Sequence, residues 1–343
     1  MVYTDLKDIT QNIARSAAQN APMRLRGTRR LPLDLDAISR KMPLRWASSR
    51  FTLNEKGGQM EAYLALDPKS SAQLKLLKAP KGDTAQLAQA VHKNTILTLK
   101  GSLDANGLLA QAETLAKIAG LDLERIYAMI AQMTGIDTKK EIISQAAGHG
   151  FLSLYEVDPG VLTEWPQQYR RNPYFLPRYI HLAIVAQVND PKALQATLEK
   201  AAKTFRLGKS SIQTEKGQHG SPIYSLEAWP GARAYWTLDG DVFVYSIGNK
   251  ALQYSLLARK HPKQRLLSDG KSPILLDQGS QAALLDLQNL QKALQGLQLP
   301  FTVRLLLGNV LQQIQGIDRL SVGLSPAQNA LVLRGQLLLG DAR

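Results

Sequence analysis

The chain has 343 residues, of which 44% are hydrophobic, a formal net charge of +14 and no cysteine. This length suffices for two domains, or for one large domain built on an extended sheet. The lack of cysteine excludes disulfides, thiolate zinc sites, iron–sulfur clusters and cysteine nucleophiles. The positive charge favours an anionic partner, such as an acidic protein, an anionic membrane surface or a nucleic acid, without choosing among them.

Residues 1–45 are predicted to form a basic, partly extended N-terminal arm, in which a short amphipathic helix over roughly 4–19 is followed by a stretch with three prolines that discourage a compact structure. Guanidinium groups bind carboxylates and phosphates through two parallel hydrogen bonds. We therefore predict that the arginine run of the arm binds a partner, and the alternative is a solvated connector. The candidate partner-binding residues of the arm are Arg24, Arg26, Arg29 and Arg30.

Residues 46–157 are predicted to form a first α+β half. Alternating apolar and polar residues flank Lys56-Gly57-Gly58, which indicates a hairpin. A strand at Ile96–Gly101 then leads through a polar break into a helix. The next helix ends at Gly135, a residue typical of a helix C-terminus, and Asp137 is expected to begin a shorter one.

Residues 158–178 are rich in proline and aromatic residues, and we interpret them as a linker between two halves. Tyr169, Arg170 and Arg171 alternate aromatic and cationic groups, as surfaces that bind single-stranded nucleic acid do. The alternative is that the rings pack on the neighbouring halves while the arginines are solvated. Arg170 and Arg171 complete the set of candidate partner-binding residues.

Residues 179–343 are predicted to form the second α+β half. Apolar and polar residues alternate over Tyr179–Val188, which is typical of a strand buried on at least one face. Asp190 is then a suitable N-cap for an amphipathic helix that continues to Phe205. A strand that runs into a capped helix is a packing unit rather than a binding site.

The same strand, polar cap and helix recur later in the second half. A hairpin turned at Asp239-Gly240 precedes a helix that Asn249 is expected to cap, and a weaker example covers 282–296. Two strands over 317–339 form a predicted C-terminal β-hairpin. This recurrence predicts an α+β fold of two related halves, with a mainly antiparallel sheet covered by helices.

The order of these parts resembles a large group of exported bacterial proteins of unknown function. Three segments carry the resemblance: LAIVAQVNDPKALQATLEKAAKTF, LDGDVFVYSIGNKALQYSLL and AALLDLQNLQKAL. The resemblance covers about residues 60–340 and leaves the basic arm outside it. It implies a location in the cell envelope and no known activity.

The residue types that act in catalysis or metal binding do not form a recognisable sequence motif. No two histidines have the i, i+3 or i, i+4 spacing of a helical metal pair, and no glycine-rich phosphate loop or G-x-S-x-G motif is present. The residues considered are His92, His149, His181, His219, His261, Asp34, Asp36, Asp239, Asp241, Glu113, Glu156, Glu164, Glu227 and the S-x-x-K match at Ser268–Lys271. We therefore predict no catalytic residue, cofactor or metal and lean against an enzyme, although a site assembled from distant positions stays open.

These observations favour a non-enzymatic cell-envelope protein, located in the periplasm, that binds or scaffolds an acidic protein or itself. One alternative is a carrier of a lipid or other apolar ligand. Another is a nucleic-acid-binding protein that uses the basic arm. No apolar run is long enough for a transmembrane helix, and the first residues are not a signal peptide. Envelope location thus requires a leader outside this sequence, and the cytoplasm is the alternative compartment.

Overall fold

A computed structural model gives the architecture of the chain. The residues it describes are 2–4, 44–55, 57–66, 84–102, 113, 122–160, 178–204, 206–207, 210–217, 221–229, 231–268, 281–297, 308, 316–327 and 330–340.

The described residues form one large antiparallel sheet of 13 strands and a separate two-stranded ribbon, β7–β8. The order of strands in the large sheet is β1-β2-β3-β15-β14-β13-β4-β5-β6-β12-β11-β10-β9. The strands are β1 (Val2–Thr4), β2 (Leu44–Asn54), β3 (Gly57–Leu66), β4 (Leu97–Ser102), β5 (Ala146–Val157), β6 (Ile180–Val188), β7 (Arg206–Leu207), β8 (Ser210–Ser211), β9 (Gln213–Lys216), β10 (Pro222–Trp229), β11 (Ala232–Asp239), β12 (Val242–Ile247), β13 (Gln281–Asp286), β14 (Ile317–Ala327) and β15 (Ala330–Leu339).

The path of the chain through the sheet interleaves its two ends. β13, β14 and β15, from the end of the chain, lie between β3 and β4, from its beginning. The hairpin β14–β15 over 317–339 is therefore an interior part of the sheet. Strands from both sides of the predicted linker belong to one sheet, and the predicted limits of the arm, the halves and the linker stay predictions.

Five α-helices are described, and none of them is long and apolar enough to cross a membrane. They are α1 (Thr84–Ala88), α2 (Leu123–Thr134), α3 (Pro191–Thr204), α4 (Asn249–Lys260) and α5 (Leu287–Gly296). Carboxylates begin three of them: Asp122 accepts from the backbone N–H of Arg125, Asp190 from that of Ala193, and Asp286 from that of Asn289. These bonds satisfy backbone donors that the first turn of a helix leaves unpaired.

One face of the central strands, the covered face, packs against α1, α4 and the segment around Leu266. Phe151, Val185 and Val244 lie on this face and form a single cluster with Leu252 of α4. Complete burial of an aliphatic side chain of this size is worth about 1.5–3 kcal/mol relative to exposure. The covered face therefore holds the main hydrophobic core.

The other face of the sheet, the open face, is covered by a described helix only at one end. There α3 places Leu194 and Leu198 against Tyr224, Trp236 and Leu238 of β10 and β11. From β6 across to β2, no described helix forms a core cluster with this face. Several of its apolar side chains are consequently exposed.

The prediction of a sheet covered by helices is wrong: the fold is dominated by the sheet. The amphipathic helical patterns suggested one covering helix for each strand unit. The described helices instead serve the centre of one face and one end of the other. A period of 3.6 residues shows that a helix has an apolar side, but it does not show which part of a sheet that side covers.

Several local predictions agree with the structure, including the strand-to-helix unit of β6 and α3 and the hairpins β2–β3 and β11–β12. Two others need correction. Gly248 is the N-cap of α4, so Asn249 is its first helical residue rather than its cap. Asp137 does accept hydrogen bonds from two backbone N–H groups, but it begins a π-helical turn at Thr138–Ile142. The helix predicted after Gly101 lies outside the described residues.

Candidate functional site

The open face carries a pocket at the end of strands β4, β5 and β6. Its volume is about 370 Å³. The described residues that line it are Leu99, Lys100, Gly101, Ala146, Gly148, His149, Gly150, Phe151, Leu152, Ile184 and Gln281. Most of the wall is therefore aliphatic side chain or glycine.

The strand register brings the floor of the pocket together. Leu99 lies opposite Leu152, and Leu152 lies opposite Ile184, so three adjacent strands present one apolar line. Directly opposed residues of antiparallel strands point to the same face. These three residues are far apart in sequence and become neighbours only through this strand pairing.

Two glycines make room beside this line. Gly101 lies opposite Gly150 in the register of β4 and β5. A Cβ added at Gly101 would meet only Gln281 Oε1, at 3.8 Å, so the space above it is open. A Cβ at Gly150 would lie 3.1 Å from the Val185 carbonyl oxygen. The pocket thus exists because both residues of this pair are glycines and leave the space of a side chain unfilled.

The apolar side chains of the pocket are in contact with solvent. Leu99 retains 40% of its accessible surface and Ile184 retains 36%. On most strands of an antiparallel sheet with one solvated face, polar residues occupy that side. Exposed leucine and isoleucine side chains gathered around a concavity instead indicate a surface for an apolar ligand or partner.

Lys100 and His149 are the ionisable residues among the described lining residues. Both side chains are buried. The described part of the wall includes no carboxylate, serine, threonine or tyrosine. The described lining thus combines a mainly apolar wall with two buried ionisable residues, Lys100 and His149.

A second cluster of polar residues lies on the opposite, covered face. Tyr155 Oη accepts from the His92 backbone N–H at 3.3 Å and lies 3.5 Å from Ser255 Oγ. The His92 ring stacks on Tyr254 with 4.7 Å between ring centroids. Burial lowers the pKa of His92 to about 4 and raises the pKa of Tyr155. His92 is 2% exposed and Tyr155 is 5% exposed, so the cluster belongs to the core.

His181 is half-buried on β6, beside the start of α4. Burial lowers its pKa, and the Glu156 carboxylate raises it in the opposite direction. Glu156 pairs with Lys250, whose Nζ lies 2.9 Å from Oε2. The ring of His181 fills the place where a side chain at Gly248 would stand. These contacts give His181 a structural role.

The carboxylates considered from the sequence have structural partners as well. Asp239 accepts from Arg259 Nε at 2.7 Å. Asp241 accepts from the side-chain amides of Gln86 at 2.8 Å and Gln187 at 3.2 Å. Within the described residues, no group of three histidines, aspartates or glutamates is placed to hold a metal ion.

Two other glutamates serve local structure. Glu113 pairs with Lys139 at 2.7 Å, and Glu227 accepts from the Gly231 backbone N–H at 3.3 Å. His261 is exposed after the end of α4. The sequence-based candidates outside the described residues are Arg24, Arg26, Arg29, Arg30, Arg170, Arg171, Asp34, Asp36, Glu164, His219 and positions 269–271 of the S-x-x-K match.

Sequence reasoning missed the pocket. One signal for it was present: Leu97 and Leu99 alternate with Thr98 and Lys100, yet the polar pair faces the covered side and the leucines face the open side. Alternation fixes two faces but does not say which of them is buried.

Comparisons with known proteins add little. No family model matches the chain, and no curated protein matches it. Solved structures with some similarity include crystal forms III and IV of TP0453, at 11% and 10% identity and a TM-score of 0.34 for both. Form III covers 75% of this chain and 80% of that one, and form I has a TM-score of 0.32 at 12% identity. At these TM-scores the similarity supports no structural or functional conclusion.

Proposed function

We propose that this protein is a non-enzymatic binding protein that carries an apolar ligand, the acyl chain of a lipid, in the open-face pocket. The observation that carries the proposal is the concave apolar surface formed by Leu99, Leu152 and Ile184, with no carboxylate or hydroxyl side chain among the described lining residues. Ligand pockets in proteins measure about 300–1,000 Å³ and are lined mainly by apolar groups.

The size of the pocket fits part of a hydrocarbon chain. One water molecule occupies about 30 Å³ in the liquid, and a methylene group is of similar size. The pocket volume of about 370 Å³ therefore holds roughly 12 methylene groups. Each buried methylene contributes about 0.8 kcal/mol to transfer from water. An acyl chain of that length would bind without requiring any specific polar contact.

We further propose the cell envelope as the compartment, since a lipid chain that crosses water between two membranes must be shielded by a protein. The cysteine-free sequence suits such a location. Binding of an acidic protein through the arginines of the arm stays a separate prediction, because those residues lie outside the described ranges.

Filling the pocket tests the proposal. Gly101→Val places two methyl groups over the pocket floor, where a Cβ meets no backbone atom. We expect it to weaken binding of lauroyl monoglyceride by about tenfold or more, since excluding even two or three methylene groups removes over 1.4 kcal/mol. Displacement of Nile red, a dye that fluoresces in apolar sites, measures the affinity.

Gly296→Val is the matched control. Gly296 ends α5, is not part of the pocket lining, and has open space around its Cβ position. This variant should bind the monoglyceride as the wild type does. Undiminished binding by the Gly101→Val protein, with its free energy of unfolding unchanged, would contradict the proposal.

A further inference from the structure

The apolar line on the pocket floor continues across the sheet far beyond the pocket. From β6 to β2 the register pairs one residue of each strand with its neighbour on the next, and every member of the row faces the open side. The row is Ile184, Leu152, Leu99, Ala283, Val322, Gly335, Met60 and Phe51.

The two rows beside it are also uncharged. On one side the register aligns Leu182, Leu154, Leu97, Leu285, Leu320, Leu337, Gly58 and Leu53. On the other side the strands contribute Ala186, Gly150, Gly101, Gln281, Leu324, Leu333, Ala62 and Ser49. A surface three rows wide without a charged residue is complementary to an uncharged occupant.

The reverse side of the outer strands carries the polar residues. Arg334 of β15 pairs with Glu61 of β3 at 3.1 Å, and Arg50 of β2 lies opposite Glu61. On the open side, Val322 is 44% exposed, Phe51 64% and Leu53 70%. The pattern of β2, β3 and β15 therefore assigns the apolar open face to an occupant and the polar face to water.

The row is much longer than the pocket. It crosses eight strands, and seven spacings of about 4.8 Å give a length of roughly 34 Å. The hydrocarbon core of a bilayer is about 30 Å thick, so one membrane acyl chain reaches about 15 Å. The row is thus about twice as long as the acyl chain of a common membrane lipid. Ala283 and Gly335 are the small residues of the row, and the Met60 side chain packs beside Gly335, with its Cε 3.4 Å from where a Cβ would stand.

The shape of the row selects among possible occupants. Neighbouring strands in a sheet are rotated by about 20–25° on average, so we expect a row that crosses eight strands to turn along its length. A flat bilayer surface cannot touch the whole of such a row, and a straight helix cannot follow it. A flexible chain can, because it turns with the sheet at little cost.

We infer that the ligand of this protein is an uncharged chain about twice as long as an ordinary membrane acyl chain, bound across the strands from the pocket at Ile184 to Phe51. This inference rests on the proposed function, because the pocket is one end of the row. It adds the length of the ligand and the residues that recognise its far end.

A series of monoglycerides with octanoyl, lauroyl, palmitoyl and lignoceroyl chains tests the length. Each is delivered from cyclodextrin and measured by displacement of Nile red from the full-length protein. We expect the affinity to rise at every step, including the last. A site limited to the pocket would accept a lauroyl chain and gain nothing from longer ones.

Two variants locate the far end. Phe51→Ser should weaken lignoceroyl binding by about tenfold, the factor expected for loss of a buried aromatic contact, and leave lauroyl binding unchanged. Tyr63→Ser is the matched control: Tyr63 lies on the adjacent strand, is 40% exposed and points to the opposite face. Because both side chains are exposed, urea unfolding should show that both proteins remain folded.

The outcomes separate the two proposals. Equal affinity for lauroyl and lignoceroyl chains, with no effect of Phe51→Ser, would overturn the long row while the pocket stands. Absence of binding by every chain would overturn the proposed function and this inference with it. If Phe51→Ser instead converts a dimer to a monomer in sedimentation without changing the chain-length series, a second copy occupies the face and the inference is wrong.

Discussion

Protonation of His92 should couple the stability of the fold to pH. Burial, followed by the charge of neighbouring Lys93, lowers the pKa of His92 from 6.5 to about 4. The folded state therefore favours the neutral ring. As the pH falls below 6.5, His92 takes up a proton in the unfolded chain but not in the folded one. The contribution of His92 to the free energy of unfolding is therefore complete above pH 6.5 and decreases as the pH falls to 4.

The size of this effect follows from the two pKa values. A gap of about 2.5 corresponds to roughly 3.4 kcal/mol, at about 1.36 kcal/mol per pKa unit, and about 3 kcal/mol of it is lost by pH 4. Replacement by phenylalanine keeps a ring against Tyr254 but removes the acceptor for the Asn94 backbone N–H, at 3.1 Å. That hydrogen bond is worth roughly 1 kcal/mol.

His92→Phe should consequently be less stable than the wild type by about 1 kcal/mol at neutral pH and more stable by about 2 kcal/mol at pH 4. Urea unfolding followed by tryptophan fluorescence, repeated across this pH range, measures both differences. Ser255→Ala is the control, because it removes a hydroxyl of the same buried cluster that does not titrate. Parallel pH profiles for the wild type and His92→Phe would refute the argument.

Two further substitutions test contacts that position the sheet and its helices. Gly248→Ala should destabilise the protein by about 1–3 kcal/mol, because φ at Gly248 is +83° and the new Cβ would lie 2.1 Å from His181 Nδ1. Asp286→Asn should cost about 1.5–3 kcal/mol in urea unfolding, because Asp286 is 5% exposed and the substitution removes the negative charge from the acceptor of the Arg319 Nε–H hydrogen bond, 3.1 Å long.

Matched controls accompany these two variants. Gly296→Ala places a Cβ in open space near the end of α5 and should change stability by less than about 1 kcal/mol. Glu156→Gln breaks the exposed pair with Lys250, and such pairs are worth about 0–1 kcal/mol. If Gly248→Ala leaves the free energy of unfolding unchanged, α4 can move away from β6. A negligible effect of Asp286→Asn would show that the hydrogen bond from Arg319 does not depend on the charge of Asp286.

The binding proposals concern a different part of the molecule from these stability predictions. His92, Asp286 and Gly248 support the covered face or the helix starts, whereas Gly101 and Phe51 lie on the open face. Variants of the first group should change unfolding, and variants of the second should change ligand affinity. This division makes the stability measurements an internal control for the binding measurements.

Local structure was readable from the sequence wherever neighbouring residues decide it. The alternation of Ile180–Val188 and the cap at Asp190 specify β6 and α3, since a carboxylate and the backbone donor it accepts from are three residues apart. The turn at Asp239-Gly240 likewise specifies a hairpin, with Gly240 at a φ of +64°.

The order of strands and the exposure of their faces are long-range properties, and the sequence did not contain them in any local pattern. Leu333 pairs with Ala62, more than 250 positions earlier in the chain, and this pairing places β13–β15 in the middle of the sheet. The alternation of β4 equally fits either face being buried. Only the tertiary structure decides on which side α1 and α4 pack, and therefore that Leu99 and Ile184 are exposed. The physical reason is that an apolar strand face can pack against any apolar element, so its own sequence does not specify which element covers it.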